Sequence, residues 1–133
     1  MASHRIRGYP VILDTNAFFL PFQFGINLDS ELSRVTGEYR LLTTRSVWRE
    51  LQMLASRKEK HSREAILLFD HLSPEVVDLD GSADDDLISL AKDVGGAILT
   101  QDSELRHRAL RNGVPVILLR AGKHLIFQRP AGA

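Results

Sequence analysis

The chain contains no cysteine. That absence excludes disulfides, zinc–thiolate sites and thiol catalysis, and it fits a reducing cytosol. Neither charge is in excess: Lys+Arg and Asp+Glu both number 17, for a net charge of zero. Charge alone therefore does not announce a nucleic-acid binder, although a neutral total can hide an acidic pocket with a basic rim. No apolar run approaches the roughly 20 residues needed to span a bilayer. The opening stretch MASHRIRGYP lacks the apolar core of a signal peptide. A soluble, cytoplasmic protein without membrane contact is expected. There is no internal repeat, linker or low-complexity segment. The five histidines show neither paired-ligand spacing nor a Ser-His-Asp order, so none is given a catalytic role.

What is present is a core. Apolar residues make up 44% of 133 residues, enough for one domain over 1–133, with 1–9 and 129–133 expected as flexible tails. Short apolar runs at 11–13, 41–44, 76–79, 97–100 and 116–119 each read as a strand, and 124–128 as a further edge strand. Between them lie helical patterns. Residues 46–56 align Val47, Leu51, Leu54 and Ala55, and residues 62–72 align Ala65, Phe69 and Leu72. Residues 83–94 align Leu87, Leu90, Ala91 and Val94 and end at Gly95-Gly96, and 103–111 is a basic helix closed by Asn112-Gly113. Strands alternating with helices predict a three-layer α/β/α sandwich around a central, mostly parallel five-stranded sheet.

Carboxylates punctuate this pattern. Asp14 closes the run Val11-Ile12-Leu13 and precedes Thr15 and Asn16. A turn residue would explain Asp14 alone, but not the two small hydrogen-bonding residues that follow it. Glu50 falls at the edge of its helix's apolar stripe, where a local ion pair with Arg49 or Arg57 is the ordinary alternative. Asp84-Asp85-Asp86 opens a helix, and Ser82-x-x-Asp85 resembles a capping box, which accounts for one or two of the three acids. Their mutual repulsion is what a cation would relieve. Asp84 lies on the core-facing side and ranks before Asp85, and Asp86 reads as solvated. Asp102 follows the strand at 97–100 and is also a natural helix cap. In parallel α/β sheets ligands bind at the carboxyl ends of strands. Four acidic points from distant stretches therefore suggest one site for a hard divalent cation, which prefers carboxylate oxygen and water.

These segments carry a family resemblance. The strand with Asp14-Thr15-Asn16, the helix with Ser46-Val47-Trp48-Arg49-Glu50-Leu51, the stretch from Ala83 to Ala91, and Leu99-Thr100-Gln101-Asp102-Ser103-Glu104-Leu105 stand in the order seen in PIN domains. The resemblance covers nearly the whole chain, including Val114-Pro115-Val116-Ile117. The stretch Pro21-Phe22-Gln23-Phe24-Gly25 and the segment around Asp102 look most like the archaeal branch near the rRNA-processing Fcf1/Utp24 proteins. Related chains are called VapC-type toxins. The resemblance implies a metal-dependent ribonuclease using one or two Mg²⁺ or Mn²⁺ ions. It implies that Asp14, Glu50, Asp84 and Asp102 form the catalytic acidic quartet, with Thr15, Asn16 and Thr100 in support. Whether Asp84 or Asp85 is the ligand stays open. It also implies an RNA substrate, a homodimer, and either a small antitoxin or a ribosome-assembly partner.

RNA needs backbone contacts as well. Arg45 and Arg49 flank Glu50, and Arg106, His107, Arg108 and Arg111 follow Asp102. The basic run 57–63 joins two helices. Each alone reads as a solvated face; together they suggest a basic rim, with Arg45, Arg49, Arg106 and Arg108 the RNA-binding candidates. Phe18, Phe19, Phe22 and Phe24 can stack bases but more often serve a core or dimer surface. Trp48 is the better stacking candidate, and Phe18, Phe19 and 57–72 are the candidate dimer contacts. Two other classes compete: a catalytically weak PIN module for RNA binding or ribonucleoprotein assembly, and a phosphoryl-transfer domain. The second fits poorly. Phosphatases of that kind want an Asp where Asn16 stands, and a receiver domain wants a lysine that Arg120 and Lys123 do not supply.

Overall fold

A computed structural model describes residues 7–132. The strands are β1 (Tyr9–Leu13), β2 (Tyr39–Thr44), β3 (Glu75–Val77), β4 (Ala97–Leu99), β5 (Val116–Arg120) and β6 (His124–Gln128). The helices are α1 (Leu20–Phe24), α2 (Leu28–Thr36), α3 (Arg45–Ser56), α4 (Ser62–Leu72), α5 (Ala83–Val94) and α6 (Ser103–Arg111), with a 3₁₀ turn at Thr15–Phe19 before α1. The α/β sandwich is as expected, but the sheet has six strands rather than five, in the order β3-β2-β1-β4-β5-β6. The sixth strand pairs antiparallel to β5, Ile117 opposite Phe127, while the other pairings are parallel.

Burial explains the layering. Val11, Ile12 and Leu13 of β1 and Ala97, Ile98 and Leu99 of β4 are all fully buried, although consecutive side chains point to opposite faces. Both faces of the central strands are therefore covered, which is why they read as continuous apolar runs instead of alternating ones. At the edge, Glu75 and Val76 of β3 are exposed. Gly95 ends α5 in the left-handed conformation (φ 71°). A Cβ on Gly96 would lie 2.2 Å from the Pro10 carbonyl oxygen, so only glycine lets β4 start against β1.

Helices α3 to α6 match the spans expected from periodicity, and two differences stand out. The stretch 15–36, to which periodicity assigns no element, folds into the 3₁₀ turn, α1 and α2. For α2 the signal was present: Asn27 caps it by accepting from Ser30 N at 3.0 Å, and Leu28, Leu32 and Val35 form its inner stripe. Tyr9, placed in the expected N-terminal tail, belongs to a strand. Tyr9 opens β1, where its N–H donates to Glu38 O at 2.8 Å, and the Arg129 guanidinium stands 5.2 Å over the Phe127 ring. Residues 1–6 and 133 lie outside the described residues.

Candidate active site

The chain leaves β1 toward β2 on one side, and reaches β4 and β5 on the other. Crossovers diverging from neighbouring strands open a crevice outside their carboxyl ends, and ligands of open α/β sheets bind there. Between β1 and β4 lies a cavity of about 510 Å³ lined by Asp14, Thr15, Asn16, Phe19, Gln23, Glu50, Leu54, Glu59, Lys60, Ala83, Asp84 and Asp102. The four expected carboxylates thus meet at one cavity, although they come from β1, α3, α5 and the turn into α6.

Asp14 extends the β1–β4 ladder by one rung, its N–H donating to Leu99 O at 3.1 Å. Its side chain then caps the 3₁₀ turn, Oδ1 accepting from Thr15 N at 2.8 Å. Oδ2 accepts from Thr100 Oγ1 at 2.6 Å and from Asn16 Nδ2 at 3.2 Å. Burial pushes this carboxyl above the ordinary aspartate range. The Thr100 and Thr15 bonds oppose that shift, and the charges of Asp84 and Glu50 add to it.

The small polar residues link the acids. The Thr100 hydroxyl, fully buried, donates to Asp14 and accepts from Asp102 N at 3.0 Å. Asn16 accepts from Gln101 N at 3.0 Å while its amide donates to Asp14, so the loops after β1 and β4 are tied together. Thr15, nearly buried, donates to Glu50 Oε1 at 2.7 Å. That bond replaces the ion pair considered for Glu50, because Arg49 instead pairs with Asp80 at 2.8 Å. Helix α3 starts directly at the end of β2, where Thr44 caps it by accepting from Val47 N at 3.3 Å, and so brings Glu50 to the cavity.

Among the three adjacent aspartates only Asp84 lines the cavity. Its carboxyl is pushed up by burial and then by the charge of Asp102, with Arg108 opposing. Asp85 does not join the site. It is exposed and hydrogen-bonded to Arg108, which holds its carboxyl below the ordinary range, and it borders a separate depression with Ile88 and Lys92. The capping box expected from Ser82 and Asp85 does not form at the α5 backbone; Asp86, expected to be solvated, instead accepts from Gly81 N at 2.8 Å. Asp102 does both things considered for it. Oδ1 caps α6 by accepting from Glu104 N at 2.9 Å and Leu105 N at 3.2 Å, while the residue lines the cavity.

None of the four expected RNA-binding arginines lines the cavity. Arg45 pairs with Asp78 at 2.7 Å, Arg49 with Asp80, and Arg108 with Asp85 and, at 3.7 Å, Asp84. Arg106 reaches Gln128 at 3.5 Å. The aromatic expectations change too. Phe18 and Phe19 are buried and cannot be dimer contacts, and the half-buried Trp48 packs against Phe69 with ring centroids 4.5 Å apart. Phe24 is exposed, and Phe22 stacks on His61. Sequence reading missed Gln23 and took Glu59 and Lys60 only as part of a basic run; the polar run between two helices was the signal for the latter pair.

The donor set of the cavity is all oxygen. Among the described residues no three acidic or histidine side chains converge tightly enough to cage an ion by themselves. An open ring of carboxylates suits a hard cation that keeps several of its waters, as Mg²⁺ does. Burial chiefly raises the Asp14 and Asp84 carboxyls and the charges of neighbouring acids add to it, and that repulsion is what such a cation would relieve. No helix among the described residues is long and apolar enough to cross a membrane.

Comparison with known proteins agrees with this geometry. Residues 11–122 match the family model described as PIN like domain. The chain is 33% identical over 121 residues to Ribonuclease VapC9 of Archaeoglobus fulgidus, covering 88% of this chain and 87% of that protein. It is 25% identical over 123 residues to Ribonuclease VapC4 of Methanocaldococcus jannaschii, covering 87% and 94%. Its fold is similar to the structure of the PIN domain endonuclease Utp24 (TM-score 0.76, 21% identity, 91% and 92% covered). A likeness of TM-score 0.59 at 16% identity, covering 86% and 93%, relates it to a domain of a functionally unknown protein from Methanocaldococcus jannaschii. With the family match spanning most of the chain and the acids gathered at the β1–β4 crevice, this protein belongs to the PIN-like domain family.

Proposed function

We propose that this chain is a divalent-metal-dependent endoribonuclease that hydrolyses phosphodiester bonds in single-stranded or structured RNA. The observation that carries the reading is the meeting of Asp14, Glu50, Asp84 and Asp102 at one cavity on the switch point of the sheet. The names of the two curated relatives support ribonuclease chemistry of the VapC type, for which a small antitoxin is the partner to be sought.

These four carboxylates would hold one or two Mg²⁺ or Mn²⁺ ions. Such an ion supplies Lewis acidity toward a phosphoryl oxygen and lowers the pKa of water. The protein's part is to present the oxygens. Thr100 and Asn16 fix Oδ2 of Asp14, so its carboxylate faces the cavity in one orientation. Thr15 engages only Oε1 of Glu50, and the α6 cap uses only Oδ1 of Asp102, which leaves Oε2 and Oδ2 for ligand binding. Asp84 adds a half-buried carboxylate from the start of α5.

The test is cleavage of labelled single-stranded RNA with Mn²⁺, comparing wild type with Asp14→Asn. Products with a 5′-phosphate from the wild type, and loss of at least about a hundredfold in Asp14→Asn, are expected for removal of a ligand carboxylate. Equal activity in both refutes the site. Growth arrest on expression alone, relieved by Asp14→Asn, separates a toxin from an rRNA-processing enzyme.

A further inference from the structure

Two residues that are not glycine, Lys58 (φ 58°) and His61 (φ 68°), take the left-handed conformation in the connection 57–61 between α3 and α4. Such backbone costs energy and persists only where its surroundings hold it, which makes it a marker of functional loops. Here the holding contacts are visible. Glu59 N donates to Leu54 O at 3.1 Å. Ser62, buried at 3% exposure, donates twice to the Glu59 carbonyl, from its N at 3.0 Å and from Oγ at 2.7 Å. The His61 ring stacks on Phe22 with centroids 6.3 Å apart, and its Nδ1 lies 3.3 Å from Glu64.

This braced loop delivers Glu59 and Lys60 to the wall of the acidic cavity. Lys60 is the one cationic side chain lining it among the described residues, and it joins no ion pair among them, with Glu59 or with any of the four site acids. Of the four arginines expected to form a basic rim, Arg45, Arg49 and Arg108 each answer a carboxylate, and Arg106 reaches Gln128 and does not line the cavity. A substrate strand carrying one negative charge per phosphate thus finds a single uncommitted cation at the cavity. A lysine ammonium, a compact point charge on a flexible stem, suits a phosphate oxygen of variable approach.

We propose that Lys60 binds a backbone phosphate of the RNA strand next to the scissile bond and so sets substrate affinity, while the acids do the chemistry. The assignment rests on the nuclease reading above. The loop supplies the position: the bonds to Glu59 and the His61 stack hold the Lys60 backbone at the cavity rim, from which its stem reaches the strand.

The experiment measures binding of a short labelled single-stranded RNA with Mn²⁺ across a salt series, in the Asp14→Asn background so that cleavage does not intervene. Adding Lys60→Ala is expected to weaken binding about tenfold, as for loss of one charge-assisted hydrogen bond, and to make the log–log salt slope shallower by about 0.7, one single-strand phosphate contact. Lys60→Arg should retain both values, and Lys92→Ala, at the exposed far end of α5, should change neither. With Asp14 intact, Lys60→Ala should raise KM about tenfold and leave kcat within about threefold, because a contact made equally in ground and transition states alters KM alone. Unchanged RNA affinity and salt slope in Lys60→Ala overturn the proposal. So does tighter Mn²⁺ binding in a thermal shift with RNA affinity unchanged, which would make Lys60 a mere countercharge for the acids. If the Asp14-intact protein binds RNA but never cuts it, the nuclease reading falls while the binding series still decides Lys60; if no RNA binds, both fall.

Discussion

Thr100→Val is the substitution that probes the site most directly. It keeps the shape of a fully buried side chain and removes one hydroxyl. That hydroxyl donates to Asp14 Oδ2 at 2.6 Å and accepts from Asp102 N at 3.0 Å. A hydrogen bond to a charged group contributes about 1.5–3 kcal/mol. The Asp102 N–H belongs to an exposed residue and can turn to water, so its loss adds less. The sum is about 2–3 kcal/mol, or a fall in Tm of about 6–15 °C for a domain of this length. The pH dependence is the sharper readout. Asp14 is already pushed above its ordinary range, and the Thr100 bond is the larger of the two that oppose that push, Thr15 N giving the other. A carboxyl raised in the folded state binds protons that the unfolded state has released, so its contribution to stability is lost as pH rises through the folded pKa. Removing the hydroxyl raises that pKa further and extends the loss to higher pH. The difference between variant and wild type should therefore grow from pH 4 to pH 7 in denaturant titrations made without metal, and the acid limb of the cleavage profile should move to higher pH. A variant within about 0.5 kcal/mol of wild type, with no pH dependence in the difference, would show that Thr100 does not hold the charged form of Asp14.

Two further outcomes test the frame around the site. Gly96→Ala sets a Cβ 2.2 Å from the Pro10 carbonyl oxygen, a backbone contact that cannot swing aside; overpacking of this kind costs about 1–3 kcal/mol or more, so a melting curve should show a clear fall in Tm, and a wild-type Tm would refute the close approach. Glu31 has its carboxyl lowered to about 2 by Arg34, one turn on in α2, and by Leu125 N, a bond that joins α2 to β6. Its stabilising effect is present above the ordinary glutamate range and is lost as pH falls toward about 2. Glu31→Gln should flatten stability against pH between about 4.5 and about 2 and leave RNA cleavage unaltered; an unchanged acid limb would refute the pairing.

How much of this was legible in the chain depends on how local the signal was. Helices α3 to α6 were readable because each has a continuous stripe and a stop signal, as Leu87, Leu90, Ala91 and Val94 have before Gly95. The 15–36 stretch was not, because the 3₁₀ turn and five-residue α1 are too short for any period to show. Asp84 could be ranked above Asp85 from its helical angle, but the reason Asp85 stays outside is a partner, Arg108, that lies 23 residues away. The same long-range pairing removed Arg45 and Arg49 from the free rim, since Asp78 and Asp80 are remote in sequence. Lys60 went the other way: unremarkable within a charged run, it gained its position from Ser62, Phe22 and Leu54, two of them on the loop's flanking helices and one on α1.

The sequence by itself determined the strands and the helices α3 to α6, and that acids stand at the ends of strands (Asp14), at helix starts (Asp84, Asp102) and at the edge of an apolar stripe (Glu50). Those features follow from residue order over a few positions, where periodicity and capping act. Tertiary structure alone decided the strand order that puts β1 beside β4, and therefore that Asp14 and Asp102 share a crevice through Thr100. It decided too which charges are answered and which remain for a ligand, because neutralisation is a matter of distance in space and not of spacing along the chain.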